Sequence, residues 1–401
     1  MNAGPRGAPA PRVLLLTGDW KWTGPAGPML ELACGLRERG LDVAVACPEP
    51  PEPGARGVAS EARARGLEPA LVLARGRGVR PFADAGDARR LRALVAERGL
   101  DLLHAWHTRD HALALRAAGL RPGARRAAVV RSWRKAEPIP GAPWQRWLFG
   151  PGTDGLLCVS PGVAERCRPA RGGRPVRGAF GAVDVERFAP RAPDAAVRAS
   201  LGLGPDDRVV GIVARVQAHR RFDLLLEAAA RLFRRDPRAR LLVVGRGTRR
   251  AELAEEPARR LGIADRVVFA GYRSADYAEV LRCIDVFTFL VPGSDGTCRA
   301  LLEAAACGIP AVTTRRGALP EIVADGETGL LADEEPEALA AGWQRLLGDA
   351  DARRAFGAAA RKRAEALFTP ARLATEVEAL YAEALAVAGA SPRPWSETSS
   401  R

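Results

Sequence analysis

The chain has very little lysine. Only Lys21, Lys135 and Lys362 occur, so nearly all positive charge is arginine, and the formal net charge is +14. Charge of that size would suit nucleic acid, but no basic stripe with interleaved aromatics is present and aromatics are only 5% of the chain, so no nucleic-acid partner is expected. Attraction to an anionic membrane surface is the better use of the excess. The seven cysteines (Cys34, Cys47, Cys158, Cys167, Cys283, Cys298 and Cys307) form no C-x-x-C pair, and most lie in apolar runs. That argues against zinc or a disulfide framework and for buried free thiols in a reducing cytosol. No stretch approaches the roughly 18 uncharged apolar residues of a spanning helix. Residues 1 to 12 lack the long apolar core and cleavage site of a secretory leader. These absences predict a cytoplasmic protein whose only membrane contact is peripheral, at the inner face.

Hydrophobic residues at 47% and charged residues at 27% describe a globular chain, and 401 residues are too many for one compact core and comfortable for two domains. The most informative stretch is Pro292 to Pro310, P-G-S-D-G-T-C-R-A-L-L-E-A-A-A-C-G-I-P. It follows an apolar run, Ile284 to Val291, that reads as a buried strand. A polar loop with Gly293, Asp295 and Gly296 leads into an Ala/Leu-rich helix that stops at Gly308 and Pro310. The helix's first N–H groups, near Thr297 to Ala300, lack intrahelical partners and carry the positive end of the dipole, which suits phosphate. Two carboxylates bracket that end, Asp295 and Glu303, and carboxylates suit hydroxyls rather than phosphate. Phosphate donors flanked by hydroxyl acceptors describe a pocket for a sugar nucleotide; an ordinary surface loop with an Asp cap is the bland alternative.

Elsewhere, strand–loop–helix units recur. Val13 to Leu16 leads through the glycine-bearing loop Thr17 to Gly27, which includes Gly24, into a helix from Met29, and Val43 to Ala46 follows as a strand. This opening predicts a doubly wound sheet. Asp87 reads as the N-cap of a helix to Arg98. His104, His107 and His111 are spaced three and four apart, as a metal face on one helix would require. His104 is read as ending a strand and His111 as beginning a helix, so no metal is expected. Arg131, Arg134 and Lys135, with Trp133, Trp144 and Trp147, read as a basic aromatic rim for a sugar or charged glycolipid.

The Pro292–Pro310 stretch resembles the donor-site signature of retaining glycosyltransferases of family 4, whose fold is GT-B: two Rossmann-like doubly wound domains facing across a cleft. In that signature two acids are separated by seven residues, here Asp295 and Glu303, and the usual E-G-F-G reads D-G-T-C, so Cys298 stands where glycine is common. Further segments fit the family in order. Val183 to Pro190 is similar to its interdomain segment, and Leu241 to Gly247 to its V-G-x-G turn. Gly317 to Glu321 matches G-x-x-P-E. The family's G-R-L, three residues, then Lys-Gly, is matched by Arg215, with Arg220 for the lysine and Arg221 for the glycine. The family's N-domain histidine falls at Trp106, with His107 one residue on; the other reading of Trp106 is a ring that stacks on a sugar.

The resemblance implies a first domain over 12–186 and a nucleotide-sugar domain over 187–368. A helix over 369–388 would cross back to the first domain, and 1–11 and 389–401 would be disordered. It implies a retaining, metal-independent transferase with no cofactor, moving sugar from a nucleotide-sugar donor to a glycan or lipid-linked acceptor of the cell envelope. Asp295 would hold the donor sugar and Glu303 the ribose. Arg215, Arg220, Gly296 and the N–H groups of Thr297, Cys298 and Arg299 would hold the diphosphate. Tyr272 would contact the nucleobase, the Gly24 loop the donor phosphates or the acceptor, and His107 the donor sugar or acceptor. A non-catalytic scaffold subunit and a sugar-nucleotide epimerase are the other readings.

Overall fold

A computed structural model describes residues 10–22, 26–76, 78, 80–119, 127–293 and 296–389. The chain packs as two units. One holds the described residues up to Ala179 together with those from Leu373 to Gly389, and the other holds the described residues from Phe180 to Arg372.

The first unit is built on β1 (Arg12–Leu16), β2 (Asp42–Cys47), β3 (Pro69–Val72), β4 (Leu102–Ala105), β5 (Ala128–Trp133), β6 (Gly155–Cys158) and β7 (Val176–Gly178). These form a sheet in the order β3-β2-β1-β4-β5-β6-β7, with every recorded pairing parallel. The second unit holds β8 (Arg208–Val213), β9 (Ala239–Val244), β10 (Val267–Gly271), β11 (Val286–Phe289), β12 (Ala311–Thr313) and β13 (Gly329–Leu331), in the order β10-β9-β8-β11-β12-β13, again parallel. Strands of parallel sheets are covered on both faces, which is why Val13 to Leu16 read as an unbroken apolar run and Val286 to Phe289 as one broken only by Thr288, and why both are buried throughout. In the second unit alternate residues serve opposite faces. Val210, Ile212, Leu241 and Val243 pack with Leu225 of the helix Phe222–Arg235 and Trp343 of the helix Pro336–Gly348. Val209, Leu242, Val244 and Phe287 pack with Leu301 of the helix Arg299–Ala306 and Ala364 of the helix Ala350–Leu367.

Both sheets change direction once. β1 lies between β2 and β4, and β8 lies between β9 and β11. In open parallel sheets the crevice at the carboxyl ends of such strands receives ligands, so the loops after β1, β4, β8 and β11 are singled out by topology alone.

Asp87 is not a cap. The helix runs Pro81–Glu97, entered through Pro81, and Asp87 is buried inside it. Its carboxylate accepts from Arg109 Nη2 at 2.8 Å and from the Ala74 N–H at 3.0 Å, while Arg109 Nε donates to Asp84 at 2.7 Å. A buried guanidinium needs such partners, and that need comes from another helix, Thr108–Ala118, not from local capping.

Candidate functional site

In the second unit the loop after β8 carries Arg215 and Arg220, and the loop after β11 leads to Arg299–Ala306. Arg220 ties the two together: its Nη1 donates to the Val291 carbonyl at 2.7 Å, and its guanidinium lies 5.6 Å from the Phe289 ring centroid. Arg215 is exposed. Beyond Val291 the chain turns at Gly296, whose N–H donates to Gly293 at 2.9 Å. Thr297 and Cys298 are buried, and the helix begins at Arg299. The loop that carries Arg215 and Arg220 and the loop that leads to the helix start therefore meet at the sheet's change of direction. Asp295 and Gly24 lie outside the described residues.

Glu303, in the second turn of that helix, is 4% exposed. Its two oxygens are held by different donors. Arg299 Nε reaches Oε1 at 2.8 Å, and the Tyr277 hydroxyl reaches Oε2 at 2.6 Å. Burial first, and then the neighbouring Glu303 charge, pushes the Tyr277 phenol well above its ordinary pKa, so it stays a donor. Nothing in the sequence spacing marks Tyr277, which opens the short helix Tyr277–Arg282.

Tyr272, just after β10, is 61% exposed, with the Arg246 guanidinium 5.0 Å from its ring centroid. Arg246 lies in the V-G-R-G turn after β9, and the reason for both glycines is packing. A Cβ on Gly245 would sit 2.1 Å from the Ala214 carbonyl oxygen, and one on Gly247 2.2 Å from that of Val216. The turn lies directly against the end of β8. A cavity of about 490 Å³ opens beside the same loop, lined by Gln217, Ala218, Phe222 and Leu226 and by Leu253 and Pro257 opposite; none of the residues assigned to a donor lines it.

In the first unit the loops after β1 and β4 are joined by Asp110. It accepts from the Gly18 N–H at 2.7 Å and the His107 N–H at 2.8 Å, and burial pushes its carboxyl up to about 6. His107 stands half-buried at the start of the helix Thr108–Ala118. The three histidines do not share a face. His104 is inside the sheet between Tyr381 Oη at 2.7 Å and Ser132 Oγ at 2.9 Å, and His111 meets Thr153 Oγ1 at 2.7 Å. Trp106 is 3% exposed, with Arg134 4.8 Å from its ring centroid, so that face is covered by a guanidinium rather than open to a sugar.

The expected basic rim is only partly a rim. Arg131 is buried and donates to the Trp106 carbonyl, and Trp133 is buried with its indole N–H on the Glu137 carbonyl at 2.8 Å. Both belong to β5, whose alternate faces are each covered. Lys135, Trp144 and Trp147 are exposed, the tryptophans at 62% and 44% on the short helix Pro143–Phe149.

Residues 29–187 match the family model Glycosyltransferase Family 4, and residues 194–363 match Glycosyl transferases group 1. The D-inositol 3-phosphate glycosyltransferase of Rhodococcus opacus is 40% identical over 191 residues, which is 45% of this chain and 42% of that protein. The chain thus spans about two fifths of the length of the curated relative it matches. Among solved structures, a glycosyltransferase from Rickettsia africae superposes with a TM-score of 0.78 at 15% identity, covering 94% of this chain and 99% of that one. Anabaena Alr3699/HepE, in complex with UDP and glucose, gives 0.74 at 18% identity, covering 92% and 99%. With two parallel Rossmann-like sheets of seven and six strands and two consecutive family matches, the chain belongs to glycosyltransferase family 4 and has the GT-B fold class.

Proposed function

We propose that the chain is a retaining, metal-independent glycosyltransferase that moves a sugar from a nucleotide-sugar donor to a glycan or lipid-linked acceptor. The observation that carries this reading is the bond from Arg220 to Val291, which ties the loop after β8 to the loop that leads from β11 into the helix Arg299–Ala306, at the sheet's change of direction. Cations and the N–H groups at a helix start suit a diphosphate, and they stabilise the charge that grows on it as the glycosidic bond breaks. In the proposed reaction the acceptor hydroxyl attacks the anomeric carbon from the face that the diphosphate leaves. The new C–O bond forms as the old one breaks, and the acceptor's proton passes to a leaving phosphate oxygen. Arg215 and Arg220 hold the diphosphate, Asp295 the donor sugar, Glu303 the ribose and Tyr272 the base; His107 meets the donor sugar or the acceptor. Trp144 and Trp147, exposed beside Arg146, support a peripheral contact with anionic lipid.

The test is thermal-shift binding of UDP-, GDP- and ADP-sugars without metal, for the wild type and Arg220→Ala. Stabilisation by one nucleotide class, lost in the variant, supports the donor site; no stabilisation by any of them overturns it. Transfer is then assayed with acceptors that include D-inositol 3-phosphate, the molecule named for the Rhodococcus relative. Sedimentation with phosphatidylglycerol vesicles, weakened by Trp144→Ser with Trp147→Ser, checks the membrane contact.

A further inference from the structure

Glu303 is a nearly buried carboxylate at the end of a side chain whose last torsion is broad and only two-fold preferred. Left to itself, such a group rotates, and a rotating acceptor is a poor partner for a rigid diol. Two donors from different places stop that rotation. Arg299 comes from one turn earlier on the same helix and takes Oε1; Tyr277 comes from a separate helix and takes Oε2. Each of these bonds takes one lone-pair position of the carboxylate, and together they fix its plane. The Tyr277 ring is itself held, packing edge-on to Phe188 with centroids 5.8 Å apart and lying against the apolar cluster that includes Leu301 and Leu302. The hydroxyl is thus presented by a rigid wall, not by a mobile loop.

We propose that Tyr277 is a positioning residue for the ribose of the donor: it orients the Glu303 carboxylate so that it accepts from the 2′- and 3′-hydroxyls, and it thereby sets discrimination against nucleotides that lack one of them. This rests on the reading of Glu303 as the ribose ligand.

The test is calorimetric titration of UDP, GDP and ADP, and of their 2′-deoxy counterparts, into the wild type, Tyr277→Phe and Glu303→Gln. The phenylalanine keeps the ring and its packing and removes only the hydroxyl. The wild type should bind the preferred ribonucleotide about ten-fold more tightly than its deoxy form, the size expected for one hydrogen bond to a charged group. In Tyr277→Phe the ribonucleotide should weaken about ten-fold and the deoxynucleotide less than about two-fold, so the preference collapses. A merely structural tyrosine would weaken both forms alike. Unchanged discrimination in Tyr277→Phe, or equal weakening of both forms, overturns the inference; if Glu303→Gln still loses discrimination, the ribose reading survives it. Discrimination unchanged in Glu303→Gln overturns the ribose reading and this inference with it.

Discussion

Among the described residues, Arg221 and Cys298 have positive φ without being glycine, at 58° and 52°. Each stands where the family resemblance places a glycine, and each precedes a helix at the candidate donor site. The left-handed turn is present at both positions although neither residue is glycine. Glycine at Arg221 would relieve roughly 1–2 kcal/mol of left-handed strain. It would add roughly 0.5–1 kcal/mol of unfolded-state entropy and lose ion pairs with Asp223 and Glu334 worth up to about 1 kcal/mol. These nearly cancel, so Arg221→Gly is expected to stay within about 1 kcal/mol of wild type in denaturant melts. Arg221→Val, β-branched at positive φ, should lose roughly 2 kcal/mol in the same melts. His104 gives a second prediction. Burial, then Arg131 and Arg134, holds its imidazole down to about 3. Between that value and the ordinary 6.5, the unfolded chain takes up a proton that the native one refuses. Stability therefore falls as pH drops through this window, by at most about 1.4 kcal/mol per pH unit. Urea melts at pH 6.5 and 5 should show wild type losing up to about 2 kcal/mol more than His104→Gln.

At the scale of elements, the strand-and-loop units of the donor half were legible because their strands are apolar on both faces and their turns carry glycine. The V-G-R-G turn shows what the motif is for: its backbone lies on the end of β8, with Val216 N donating to the Arg246 carbonyl at 3.2 Å. Gly245 has φ of 141°, and its missing Cβ leaves room for the Ala214 carbonyl. Gly245→Ala should therefore destabilise the fold by roughly 2 kcal/mol or more and shift the Arg246–Tyr272 pair, read as a lower melting temperature and weaker nucleotide binding. Arg220→Ala removes the bond to Val291 that joins the two loops; nucleotide affinity is expected to drop about ten- to a hundred-fold by calorimetry. Less was legible in the first unit. β3 and β7 are short strands at the sheet's edges with only partial burial, so neither gives a long apolar run. Asp87 looked like a cap because its true partner, Arg109, is 22 residues away.

At the scale of the whole molecule, the segment from Leu373 on packs with the first unit although it follows the second in sequence. Tyr381 supplies the partner of His104, Leu380 and Ala384 face Gly155 where a Cβ would have 3.1–3.2 Å, and Arg177 pairs with Glu376 and Glu383. Ending the chain at Arg372 leaves His104 buried without that partner and uncovers apolar strand surface. Calorimetry of the truncated protein should show the first unit's transition lowered or lost and the second unit's retained. A truncation that melts like the full chain would show that these contacts contribute little.

The sequence by itself determined what depends on neighbours along the chain: the buried parallel strands, the glycine turns and the helix start after β11. It also supplied the acids and arginines whose order places the chain in its family, because such motifs are read through local backbone geometry. Tertiary structure decided what depends on residues far apart. It brought Arg220 to Val291, set Tyr277 on Glu303, joined Asp110 to Gly18 and buried Arg131 and Trp133 where a rim was expected. These pairings carry no spacing signal, since a hydrogen bond or a covered ring fixes only the distance between two side chains in space, and any number of residues can lie between them.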